Sequence, residues 1–160
     1  MKKKFLWIFL SFIISFIDQL SKIFITKLFI CKKILIINSF LNLFLIYNNK
    51  KIIFNLIYEK IDLQKNILII INIIIFFLII YFIKIFIKEY IFCYGLSFIL
   101  GGAIGNFIDY VLYNYVIDFF DIHINRLHWF IFNISDISIF IGVILIILDQ
   151  FKNIKYFKKI

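Results

Sequence analysis

Residues 118–136 read DFFDIHINRLHWFIFNISD, and whether this stretch runs straight or turns back decides the fold. Asp118 and Asp136 stand eighteen positions apart. On one straight helix they would share a face but lie about 27 Å from each other, at roughly 1.5 Å of rise per residue. They meet only if the chain reverses between them. The polar middle, DIHINRLHW, supplies that reversal, and FNISDISIFIGVILII then begins a descending apolar helix.

The surrounding chain is hydrophobic at 64% of its 160 residues, 21% aromatic and without proline. Its mean hydropathy of +1.06 is that of an integral membrane protein, not of a soluble domain. A single domain, 1–160, is expected. Four apolar segments, near 5–25, 66–83, 90–108 and 130–148, are each long enough to cross a bilayer, which takes roughly 17 to 25 residues. The fold expected is membrane all-α with four transmembrane helices. The first segment begins like a secretory signal, but Asp18-Gln19-Leu20-Ser21-Lys22 follows it in place of a small-residue cleavage pattern, so it is read as a retained helix.

The net charge of +9 comes from lysines at the ends of apolar runs. They make no patch interleaved with base-reading residues, and nucleic acid is not an expected partner. Lys2 to Lys4, Lys84 and Lys88, and Lys152, Lys155, Lys158 and Lys159 mark three cytoplasmic ends by the positive-inside rule, which puts both termini inside. An insertion at about 26–65 is then external, although eight lysines between Lys22 and Lys65 run against that rule. Its run ILIINSFLNLFLIY suits short strands or an interfacial helix. A small external β-rich element between helices one and two is expected.

Cys31 and Cys93 fall on opposite sides of the membrane in this topology and cannot pair, and no C-x-x-C spacing is present. His123 and His128 are the only histidines, read as structural or interfacial groups and not as metal ligands. Three of the five glycines and the only alanine fall within GGAIGNFIDY, residues 101–110. Gly101 and Gly105 form a small-x-x-x-small face for close helix packing. Packing does not explain Asn106 and Asp109, three apart on one helical face.

Depth connects these residues. Counting helical rise, Asp18 lies about 21 Å above Lys4, Asn106 about 27 Å above Lys88 and Asp136 about 24 Å above Lys152. Three helices thus bring polar groups to one layer, toward the external side of a hydrocarbon core roughly 30 Å thick. Ionisable groups there imply function. Two aspartates sharing a partly dry site do not both ionise, so one keeps a proton while the other acts as base on a water. That is aspartic-protease chemistry, and it needs no metal or organic cofactor. Competing readings are helix caps for the individual acids and a surface ion pair for Asp18 and Lys22. For the whole chain they are a membrane scaffold or transport subunit, or a metal-dependent lipid phosphotransferase built on Asp109, Asp118, Asp121 and Asp136.

The ordered blocks resemble the lipoprotein signal peptidase (signal peptidase II) family over nearly the whole chain. Asp18-Gln19-Leu20-Ser21-Lys22 is similar to its D-Q-x-[ST]-K block. Leu41-Asn42-Leu43 with Asn48 is similar to an external L-N-L and N-x-G-x-A-F block, in which Asn48 or Asn49 is the equivalent asparagine. Gly101 to Asn106 with Asp109 resembles GGA-x-GN-x-x-D-R, Val116 to Phe119 resembles V-V-D-F, and Phe132 to Asp136 resembles F-N-x-A-D.

The resemblance implies a bacterial inner-membrane aspartic endopeptidase that cuts prolipoproteins before a diacylglyceryl-modified cysteine, with its active site toward the periplasm. It implies Asp118 and Asp136 as the dyad, Asn106 and Asn133 as its polar partners, and Asp18, Lys22, Asn48 and Asp109 as supporting or substrate-contacting residues. Partners are the lipid-modified substrate and membrane lipids, and a monomer is expected. Tyr110 stands where the family has arginine, Lys50 where it has glycine and Ser135 where it has alanine. A degenerate, inactive homologue is therefore the nearest rival.

Overall fold

The computed structural model describes residues 2–30, 34–48, 61–124 and 127–157. Eight elements follow in order: α1 (Lys2–Leu28), β1 (Leu35–Asn38), β2 (Leu41–Asn48), α2 (Ile61–Ile85), α3 (Tyr90–Tyr113), β3 (Val116–Ile124), β4 (Leu127–Phe132) and α4 (Ile134–Phe157). Among the described residues three helices are long and apolar enough to cross a membrane, over Phe5–Leu28, Tyr90–Tyr113 and Ile134–Lys152; the apolar part of α2, Ile69–Ile85, is shorter. In hydrocarbon a backbone must satisfy its own polar groups, which favours long uninterrupted helices in this proline-free chain. The protein is a membrane protein of helices carrying a small antiparallel sheet.

The expected β-rich element between α1 and α2 is present as β1 and β2, but among the described residues it is half of a four-stranded sheet in the order β1-β2-β3-β4, so the chain is not all-α. Only β1 and β2 come from the 26–65 insertion. The other two come from 116–132, which had been expected to contain a polar turn and the start of helix four. DIHINRLHW instead holds the end of β3 and the start of β4, a strand pair in which Phe120 opposes Phe132 and Ile122 opposes Phe130. Its aromatic and β-branched residues pair across strands. The expected reversal is real, but it is a hairpin, and α4 starts at Ile134.

Local signals fix the two junctions around this hairpin. α3 ends at Asn114, in the left-handed conformation at φ 61°, with its N–H on Tyr110 O; asparagine tolerates that conformation better than most residues. α4 begins with a reciprocal cap. Asn133 Oδ1 accepts the Asp136 N–H at 2.9 Å, and Asp136 Oδ2 accepts the Asn133 N–H at 3.3 Å.

α3 is the central helix, packed chiefly on α4 and then on α1. Glycine sets those approaches. A Cβ at Gly101 would lie 2.7 Å from Ile14 Cβ on α1, and one at Gly95 would lie 2.7 Å from Gly142 O on α4. The small-residue face is thus divided between two neighbours. Trp7, Ile79, Ile83, Cys93, Leu96 and Leu100 form one apolar cluster, and Ile25, Ile117 and Phe119 form another beside the sheet. Cys93 is a buried free thiol, while Cys31 lies outside the described residues. Between the clusters, counted along α1 from Trp7 to Ile25, sits the polar layer with Asp18 and Lys22.

Candidate active site

Five of the expected residues form one hydrogen-bonded network. Asn133 Nδ2 donates to Asp118 Oδ1 at 2.7 Å and also lies 3.0 Å from Asn106 Oδ1 and 3.1 Å from Ile117 O. Asn106 Nδ2 donates to Asp136 Oδ1 at 2.9 Å, and Asn48 Nδ2 donates to Asp118 Oδ2 at 2.9 Å. Asn133 therefore touches both aspartates, Asp118 through its side chain and Asp136 through the cap. Asp118 is delivered by β3, Asp136 by the first turn of α4 and Asn106 by α3, so three elements converge. Asp136 does cap a helix, and the same cap orients its carboxylate.

The remaining expected residues form a second cluster behind the first. Lys22 Nζ lies 2.6 Å from Asp18 Oδ2, 2.8 Å from Asp109 Oδ2 and 3.1 Å from Asn106 Oδ1. Lys22 is 1% exposed and both aspartates are fully buried. This overturns the surface ion-pair reading of Asp18 and Lys22: the i, i+4 pair points inward because α3 brings Asp109 against it. Asp18 Oδ1 also accepts the Ser135 N–H at 2.8 Å, and Asp109 Oδ2 accepts the Ile117 N–H at 3.1 Å. The cluster thus grips the start of α4 and the start of β3, the two segments that carry the dyad candidates. Lys22 is the one cation bonded to the network among the described residues.

Gln19 was not singled out from the sequence, although it sits in the same block. Its Nε2 donates to Gly105 O at 2.9 Å and Asp109 Oδ1 at 2.8 Å. Ser135, marked from the sequence as a departure from the family's alanine, lies against the second cluster. It is fully buried, and a Cβ at Gly105 would collide with its Oγ and lie 2.6 Å from Asp18 Oδ2. Position 135 therefore needs a small side chain, which serine provides where alanine was expected. Gly105→Val should lower stability by about 1–3 kcal/mol through overpacking, seen as a lower unfolding temperature in detergent with impaired activity.

Outside the membrane-spanning segments, the Tyr115 phenol is held above its ordinary pKa, first by burial and then by Tyr47, Tyr113 and Asp109. It stays neutral beside Asp109. Lys50 and Asn49 lie outside the described residues.

The four acids of the phosphotransferase reading do not make one ligand set. Asp109 is engaged by Lys22, and Asp121 turns to the other face of the sheet, where His128 Nδ1 is 2.8 Å from its Oδ2. Among the described residues no group of three or more His, Cys, Asp or Glu is arranged to hold a metal ion. Beside Asp136 opens an apolar cavity of about 670 Å³, walled by Ile122, Phe130 and Phe132 of the sheet and by Ile139 and Phe140 of α4. Among the described residues Asp136 is its one ionisable lining residue. A carboxylate network with Asp118 buried and Asp136 half-buried at the edge of an apolar cavity suits hydrolysis on a lipid-soluble substrate.

The family model described as signal peptidase (SPase) II matches residues 10–152. The chain belongs to the signal peptidase II family. A lipoprotein signal peptidase of Janthinobacterium sp. is 40% identical over 148 residues, 92% of this chain and 89% of that protein. One of Cupriavidus taiwanensis is 31% identical over 150 residues, 94% of this chain and 85% of that protein. A solved bacterial membrane enzyme at 1.9 Å resolution matches with a TM-score of 0.74 and 33% identity, covering 90% of this chain and 91% of that one.

Proposed function

We propose that this chain is an aspartic endopeptidase that removes the signal peptide from diacylglyceryl-modified prolipoproteins, with Asp118 and Asp136 as the catalytic dyad. The observation that carries this reading is Asn133 held against both aspartates, 2.7 Å from Asp118 Oδ1 and, through its backbone N–H, 3.3 Å from Asp136 Oδ2. With the carboxylates fixed by Asn48, Asn106 and Asn133, the ionised member takes a proton from water as the water oxygen attacks the scissile carbonyl. The protonated member donates to the carbonyl oxygen, and collapse of the tetrahedral adduct passes a proton to the leaving amine. Asp18, Lys22 and Asp109 hold the elements in place. The apolar cavity beside Asp136 gives hydrophobic parts of the substrate a dry surface next to the reacting bond.

The same reading makes the protein a single-domain monomer of the bacterial inner membrane. It has four spans, counting α2, with both termini cytoplasmic and the dyad toward the periplasm. The lysine flanks and the shared depth of the polar layer support that orientation. The test is cleavage of a diacylglyceryl-modified prolipoprotein by the purified protein with and without a chelator. The dyad acts without a metal, so the rate should change by less than about twofold, against the hundredfold or greater effects usual for losing an acid–base group. Loss of activity that added divalent cations restore would overturn the dyad mechanism.

A further inference from the structure

The mechanism leaves Asp121 unused, yet it is fully buried. It lies on the sheet face away from the cavity. On β3 and β4 the pairs Phe120–Phe132 and Ile122–Phe130 face the cavity side, while Asp121 opposes Ile131 and, across β2, Asn42. Its Oδ2 is 2.8 Å from His128 Nδ1, 3.5 Å from Asn42 Nδ2 and 3.9 Å from His123 Nδ1. Its Oδ1, together with His123 Nδ1 and Asn42 Oδ1, has no hydrogen-bond partner among the described residues. A buried carboxylate with one short bond depends on that bond.

Strand β4 depends on it too. Among the described residues it is an edge strand, paired only with β3, and Leu127, Trp129 and Phe130 are each more than two-thirds exposed, so little apolar packing holds it. The His128 contact is the one side-chain hydrogen bond that β4 makes among the described residues. Phe130 and Phe132 of this strand form the cavity wall opposite α4.

We propose that Asp121 and His128 pin β4 from the far face of the sheet, so that His128 is a positioning residue setting how well the cavity beside Asp136 grips its substrate. The inference rests on the peptidase reading above for the identity of that substrate. With its proton on Nδ1, the half-exposed His128 ring donates to Asp121, and a charged ring would tighten the contact further. The pin acts on binding and leaves the dyad's own hydrogen bonds untouched, so its loss should fall on KM and spare kcat.

The experiment compares full-length wild type, His128→Ala and His128→Asn, whose amide nitrogen can occupy the place of Nδ1. For cleavage of a diacylglyceryl-modified prolipoprotein, His128→Ala should raise KM about tenfold with kcat within about twofold, and His128→Asn should recover most of the loss. In parallel, hydrogen exchange in detergent should show β4 amides exchanging at least about fivefold faster in His128→Ala, with α3 unchanged and protection regained in His128→Asn. Unchanged KM, or unchanged β4 exchange, would overturn the pin. A folded wild type that cleaves nothing would count against the peptidase reading, and the exchange comparison would still decide whether the pin exists.

Discussion

Asp118→Asn and Asp136→Asn should each lower cleavage by at least about a thousandfold, the scale expected when a dyad loses its acid–base function. Asparagine keeps the size and one acceptor of aspartate but can neither take the proton from water nor hand one to the scissile carbonyl. It also presents a donor where the network offers donors. At position 118 the new amide faces Asn133 Nδ2 and Asn48 Nδ2, and at position 136 it faces Asn106 Nδ2 and the Asn133 N–H. A mismatch of this kind costs about 1–3 kcal/mol. Unfolding in detergent, measured beside single-turnover cleavage, separates the two effects. A folded variant with no cleavage supports the dyad, and retained cleavage in either variant would sink it.

Lys22→Met should be the most destabilising single change in the polar layer. Two carboxylates, Asp18 and Asp109, share one ammonium that is 1% exposed. Without it both are left buried near each other with no cation, a situation that costs about 3–5 kcal/mol when a buried pair is broken. The damage should spread to catalysis, because Asp18 holds the Ser135 N–H at the head of α4 and Asp109 holds the Ile117 N–H next to Asp118. Adding Asp109→Asn to Lys22→Met should restore part of the stability, since one orphaned charge is removed and the two effects are coupled. Strict additivity of the two losses would show that Lys22 does not act through Asp109.

The contrast between Asp118 and Asp121 shows where sequence reasoning stopped. Both are acidic and lie within one apolar block, and taken as part of a turn they are equally good candidates for one site. Once β3 is known to be a strand, an odd separation sends them to opposite faces. Asp118 then joins the dyad network, and Asp121 becomes the anchor of His128. The strand itself was hard to see because one of its two partners, β2, lies in the distant 26–65 insertion, and short apolar runs do not distinguish strand from buried helix.

The sequence alone determined that this is a membrane protein, because burial of that much apolar surface requires lipid. Helical rise also placed Asp18, Asn106 and Asp136 in one polar layer, because polar and ionisable groups are costly at that depth and few, while the other members were named through the family resemblance. Capping at Asn133 and Asp136 was local and legible too. Only the tertiary structure decided that Lys22 faces Asp109, that Gly102 meets α4, Gly101 meets α1 and Gly105 sits against both, and that the sheet takes half its strands from between α3 and α4. Each of these is a contact between segments far apart in the chain. Its geometry is set by which side chains fit against one another, and one-dimensional periodicity holds no record of that.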